Sequence, residues 1–160
     1  MAAVGRVHGL PVTDHLARLF PGLAGQGFLV TSPHNKGYNC IAWAAGDHSR
    51  WWEPAPGYYW PTGLEKYEPP TLGQYIRMFR SLGYEECESR AVEPGFQKIA
   101  LYASPDGRAT HAARMLPSGR WTSKLGRLED IEHELAGLEG DAYGRVACVM
   151  KRRLVHSSEI

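Results

Sequence analysis

Two residues in this chain have side chains suited to nucleophilic chemistry and a local setting that could support it. Cys40 follows the polar stretch Ser32–Asn39 and opens the compact apolar run Cys40-Ile41-Ala42-Trp43-Ala44-Ala45, which Gly46-Asp47 closes. A thiol becomes nucleophilic as its thiolate, and a helix N-terminus or a neighbouring imidazole stabilises that form. If the run is a short helix, its unsatisfied N–H groups surround Cys40 and could also hold an oxyanion. A cysteine beside Ile41 and Trp43 also serves as a small apolar packing residue. His111 tips the balance. It sits between Thr110 and the small pair Ala112-Ala113 in an otherwise apolar strand, where small neighbours allow a helix to approach closely. Together a cysteine at a helix start and a histidine on a later strand make a nucleophile and its general base.

The elements that must position them follow from local signals. Thr13 or Asp14 caps a short helix through Phe20, which Pro21-Gly22 ends. Gly27–Thr31 reads as extended, and Ser32–Tyr38 as a loop. Ser49–Pro70 carries Trp51, Trp52, Tyr58, Tyr59, Trp60 and Tyr67 among Pro54, Pro56, Pro61, Pro69 and Pro70, so no periodic element runs through it. Its rings either cover the core or wall a cleft. Thr71 caps a helix to about Leu82, with Gly83 as its stop. Tyr84–Ser89 is an edge strand, and Gln97–Ala103 a largely apolar one. Thr110–Leu116, the turn Pro117-Ser118-Gly119 and Arg120–Leu125 form a hairpin. Glu129–Leu138 shows Ile131, Leu135 and Leu138 at helical spacing, which makes His133 a solvent-facing helix residue. Tyr143–Lys151 is a last strand. Helices followed by a mostly antiparallel sheet predict an α+β class in one domain over residues 1–160.

The order of Cys40, then Thr110-His111-Ala112-Ala113-Arg114-Met115-Leu116, then Gly119-Arg120-Trp121, resembles the cell-wall endopeptidase branch of the papain-like cysteine hydrolases. The resemblance implies a papain-like fold, in which a cysteine-bearing N-terminal helix packs on an antiparallel sheet. It also implies a third polar residue on the strand after the histidine, which falls near Ser123. Thr122, Asp130 and Glu129 are further candidates for orienting the imidazole. A two-residue turn at Ser118-Gly119 pairs Arg114 with Ser123 and puts Ser123 on the face opposite His111, whereas a longer turn puts both on one face. Papain-like sites also place a donor shortly before the cysteine; His34, Asn35, Tyr38 and Asn39 lie there, and Asn39 or Asn35 fits best as a neutral amide. The chain is also similar, over residues 28–150, to an uncharacterised bacterial domain family that shares Tyr38-Asn39-Cys40-Ile41-Ala42-Trp43-Ala44 and Trp121-Thr122-Ser123-Lys124-Leu125-Gly126.

The expected activity is amide hydrolysis, deamidation or acyl transfer, with Cys40 attacking and His111 as base, then acid. Trp51 and Trp52 would wall the cleft beside a peptide or other amide substrate. The alternative is a scaffold without the chemistry, acting as a binding or immunity-type protein; serine, a weaker imidazole partner than His, Asp or Asn, favours it. Composition narrows the field. The 160 residues carry a net charge of +1 with 43% hydrophobic and 22% charged residues, an ordinary globular balance that gives no electrostatic pull towards nucleic acid or an anionic membrane. No stretch is apolar enough for a membrane span, and Gly5, Arg6, His8 and Gly9 interrupt any signal-peptide core. Three cysteines without a pairing pattern suit a reducing compartment, so the cytoplasm is expected, and export without a cleavable signal would look the same. No cofactor is expected. Cys40, His48, His111 and His133 could ligate a metal, but they lack metal-binding spacing, and none is predicted.

Overall fold

The computed structural model describes residues 6–7, 10–11, 14–32, 37–61, 63–64, 70–125 and 129–154. Strands β1 (Arg6–Val7) and β2 (Leu10–Pro11) form a small antiparallel pair. Helices α1 (Asp14–Leu19) and α2 (Pro21–Gln26) follow. Pro21 does not end the helical region; it sits at the first turn of α2, where its missing N–H costs nothing. Then come β3 (Phe28–Ser32), α3 (Cys40–Ala44) and α4 (Leu72–Ser81). The strands β4 (Glu85–Cys87), β5 (Phe96–Ala103), β6 (Ala109–Met115), β7 (Trp121–Lys124), β8 (Asp130–His133) and β9 (Arg145–Arg153) complete the chain, with a 3-10 turn at Leu135–Leu138.

One seven-stranded sheet runs in the order β3-β8-β7-β6-β5-β9-β4, with every neighbouring pair antiparallel. Strand alternation sorts the side chains into two layers. On β5, Ile99 and Leu101 join Ile41, Ala42, Met78, Phe79 and Ala112 under α3 and α4. Ala100 and Tyr102 join Leu16, Leu23, Phe28, Ala113, Trp121 and Ile131 under α1 and α2. Both faces are covered, which explains why β5 has no polar alternation. Thr71 caps α4 with a full capping box to Gln74, an arrangement that contributes on the order of 1 kcal/mol.

The segment expected to be a helix over Glu129–Leu138 is β8 followed by the 3-10 turn. The spacing of Ile131, Leu135 and Leu138 imitates a helical face, yet β8 gains strand partners on both sides, β3 and β7. Pairing on both edges outweighs local periodicity. His133 is therefore fully buried in the sheet and not solvent-facing.

Candidate functional site

Asn39 sets the start of α3. Its Oδ1 accepts from Ala42 N at 3.2 Å, which caps the helix, and from Trp52 N at 3.2 Å; its Nδ2 donates to Trp52 O at 2.7 Å. These bonds tie the ring-rich loop to the helix and commit the Asn39 amide to the scaffold, so Asn39 is a clamp rather than a free oxyanion donor. Asn35 and His34 lie outside the described residues. Trp52 is core: it is buried, its Nε1 donates to Asp47 Oδ2 at 2.8 Å, and its ring tilts against Tyr59 at 4.8 Å. The cleft wall expected at Trp52 is thus absent. Trp51 keeps partial exposure and donates to Glu53.

Cys40 is the first residue of α3 and half-buried. Its sulfur lies against the N–H groups of Ala112, Ile41 and Cys40 itself. Burial pushes the thiol up to about 11; the three amides pull the other way, and Glu53 adds to the rise. The resting sulfur is therefore a protonated thiol.

The hairpin decides where His111 and Ser123 point. Leu116 N bonds to Arg120 O at 2.7 Å and Gly119 N to Leu116 O at 2.9 Å, closing a three-residue loop in which Gly119 takes φ 93°. The register pairs Arg114 with Thr122 and Met115 with Trp121. Ser123 then falls on the same face as His111, as the longer turn requires. His111 Nε2 and Ser123 Oγ are 2.9 Å apart, and Ser123 Oγ and His133 Nε2 are 2.7 Å apart. His133 Nδ1 meets the Glu134 carbonyl at 2.8 Å. All three side chains are fully buried.

This chain has one direction. A carbonyl only accepts, so His133 Nδ1 carries its proton and Nε2 offers a lone pair. Ser123 Oγ–H must donate to that lone pair, so Ser123 can only accept from His111 Nε2–H. His111 Nδ1 is left unprotonated, and it is buried without a hydrogen-bond partner. Burial holds His111 well below the usual imidazole value, and the nearby His133 pushes the same way. Burial brings His133 down to about 4, against the Glu134 carbonyl bond that favours its charged form. Both rings are neutral at physiological pH.

Tyr143 lies flat on the His111 ring, with centroids 4.2 Å apart and planes within 7°. Its loop is clasped by paired bonds between Gly140 and Gly144, and its carbonyl receives Thr110 Oγ1.

The structure thus joins His111 to Ser123 and sets the Cys40 sulfur against the main chain of the next residue, Ala112. Alternation on β6 directs the Ala112 methyl towards α3 and the His111 ring towards Tyr102 and Tyr143. Sulfur and imidazole share no hydrogen bond at rest. Thr122 and Asp130, two of the other candidate orienters, serve elsewhere. Thr122 accepts from Trp43 Nε1 at 3.0 Å on the α3 face, and Asp130 takes the Tyr38 hydroxyl at 2.7 Å. The Glu129 carbonyl receives Leu125 N. Among the described residues no three His, Cys, Asp or Glu side chains are placed to hold a metal ion. Among the same residues no helix is long and apolar enough to cross a membrane.

Residues 29–151 match a protein-family model described as a domain of unknown function, DUF7689. The chain belongs to that family. The DUF7689 match starts in β3 and ends in β9, so it contains α3 and all three members of the buried chain. No curated protein matches this DUF7689 chain, and no solved structure does. Sequence reasoning missed His133. Its alternation with Ile131, which places both on one face of a strand, was the available signal.

Proposed function

We propose that the protein is a cysteine-dependent acyl-transfer enzyme of papain-like architecture, acting on an amide. The observation that carries this reading is the unpartnered His111 Nδ1, on a ring anchored through Nε2 to Ser123, one strand position from Ala112, against which the Cys40 helix packs from the opposite face. A general base needs that tautomer: one nitrogen anchored and the other open to take a proton. As Cys40 Sγ attacks the carbonyl carbon, its proton passes to His111 Nδ1, a transfer that requires the ring to turn from the Tyr143 face towards α3, and the carbonyl π pair moves to oxygen. The amides at the start of α3 are suited to receive that oxyanion. Collapse of the intermediate breaks the C–N bond, and His111 returns the proton to the leaving amine. Water then gives its proton to the same nitrogen and adds to the thioester carbon; the C–S bond breaks, the acid leaves, and His111 returns the proton to the Cys40 sulfur. The pair is neutral at rest, so proton transfer accompanies attack rather than preceding it. A cysteine-bearing helix on an antiparallel sheet, with histidine and serine on adjoining strands, supports the papain-like reading.

The test is acyl transfer from p-nitrophenyl acetate. The expected result is a p-nitrophenolate burst with acetyl mass on Cys40, absent in Cys40→Ala and about 100-fold slower in His111→Gln. A burst that survives Cys40→Ala, or acetyl groups spread equally over Cys87 and Cys148, overturns the proposal. The second reading, a binding or immunity-type protein, is favoured by the absence of a sulfur–imidazole hydrogen bond and by the Tyr143 ring over His111. It predicts no burst.

A further inference from the structure

We propose that His133 is a positioning residue which, through the Ser123 hydroxyl, fixes the tautomer of His111. The inference rests on the acyl-transfer reading for its purpose but not for its geometry. Three observations carry it. The 2.7 Å and 2.9 Å contacts put one hydroxyl between two imidazoles, so that hydroxyl donates to one ring and accepts from the other. The Glu134 carbonyl at 2.8 Å decides which, because it demands a proton on His133 Nδ1. All three side chains are fully buried, which shields the hydroxyl from competition by bulk solvent. Serine alone is ambiguous: its hydroxyl can donate to or accept from His111 Nε2, leaving Nδ1 protonated in one case and basic in the other. His133 removes the ambiguity. The pair Ser123–His133 thereby does what a single Asn or Asp does when it receives an imidazole N–H, which answers the weakness of serine as an orienter.

Acid reverses the chain. A proton on His133 Nε2 turns that nitrogen into a donor, so Ser123 must accept from it and donate its own hydrogen to His111 Nε2. That forces the His111 proton onto Nδ1 and removes its basic lone pair.

The experiment is a long-range 1H–15N correlation spectrum of the histidine rings in the intact chain, with Cys40 alkylation measured in parallel. At pH 7.5 the expected result is His111 as the Nε2–H form and His133 as the Nδ1–H form. Ser123→Ala, which removes only one buried oxygen, should leave His111 as a mixture of tautomers and slow Cys40 alkylation about tenfold. His133→Phe should do the same. His133→Gln, whose Oε1 can still accept from Ser123, should restore both the Nε2–H signal and the rate. His111 found as Nδ1–H in the wild-type protein, or unchanged as Nε2–H in Ser123→Ala and His133→Phe, overturns the inference. Tautomers as expected with an inert Cys40 overturn the acyl-transfer reading and leave the His133–Ser123–His111 arrangement intact.

Discussion

Cys40 and Cys148 supply a matched comparison inside one molecule. Both are half-buried, and burial pushes both thiols up to about 11. At pH 7 each then holds roughly one part in ten thousand as thiolate, against a few per cent for a free cysteine. Without help the two should react with iodoacetamide at similar slow rates, rising tenfold per pH unit. If His111 Nδ1 accepts the Cys40 proton as the sulfur attacks, the Cys40 rate depends on neutral imidazole instead. His111 sits well below 6.5, so it is neutral throughout pH 6.5 to 9. The Cys40 rate should therefore be flat to within about threefold over that window, while the Cys148 rate climbs about 300-fold. At pH 7 Cys40 should lead by about 100-fold, the lower end of what a positioned base supplies. The assay is alkylation at several pH values, quenched and resolved by peptide mass spectrometry, with Cys87 as a further control. His111→Gln keeps a donor for Ser123 but loses the base, and should convert the flat Cys40 profile into the steep one. A wild-type Cys40 profile that rises in parallel with Cys148 refutes the reasoning.

Two other outcomes follow from the same geometry. His133 is depressed from 6.5 to about 4, so the folded state binds fewer protons than the unfolded one below pH 6.5. Its contribution is complete above 6.5 and falls as acid is added, by about 2 kcal/mol between pH 6.5 and 5, with His111 adding in the same direction. Asp130, whose carboxyl is raised by burial, works against this trend, so the difference between wild type and His133→Gln in urea denaturation at the two pH values isolates the histidine; equal slopes would contradict the burial argument. Asn39→Ala removes a helix cap and leaves the buried Trp52 N–H and carbonyl without their partner, a loss of about 3 kcal/mol by chemical denaturation. A loss under about 1 kcal/mol would mean that the clamp does not hold the loop.

What could be read in advance was whatever local chemistry decides. Asn39 before an apolar run marks a helix start, and Thr71 with Gln74 three residues on marks another. Pro117-Ser118-Gly119 marks a turn, and the strands flanking it fall where their alternation puts them. The face on which Ser123 lies depends on one residue of loop length, and local composition allows both lengths; the observed bond from Leu116 N to Arg120 O is what selects the longer one. His133 was hidden for a different reason. Ile131, Leu135 and Leu138 satisfy a helix period over about two turns, and pairing with β7 and with β3, about a hundred positions earlier, makes the start of the segment a strand. Trp52 shows the limit of residue type: a ring among prolines suits core or cleft equally, and the Asn39 bonds that draw it inward are long-range.

Among the described residues the unpaired nitrogen on His111 is one of five buried polar side-chain atoms without a partner, and the only one on an imidazole. Its neighbours on that face, Tyr102, Trp121 and Ile131, fill space with few polar atoms, and Tyr102 sends its one hydroxyl to the Leu135 carbonyl. A layer selected for stability alone would hold hydrocarbon at 111, 123 and 133, since a buried polar group without a partner costs about 1 to 3 kcal/mol and replacing a whole network by apolar groups of similar shape is close to neutral. The chain instead keeps three polar side chains, satisfies every donor and acceptor but one, and leaves that one on the ring whose neighbouring amide meets the only cysteine at a helix start. Hydrogen bonding that is complete save at a single basic atom is the pattern a general base requires, because any partner placed on Nδ1 would have to be removed before a thiol proton could arrive there.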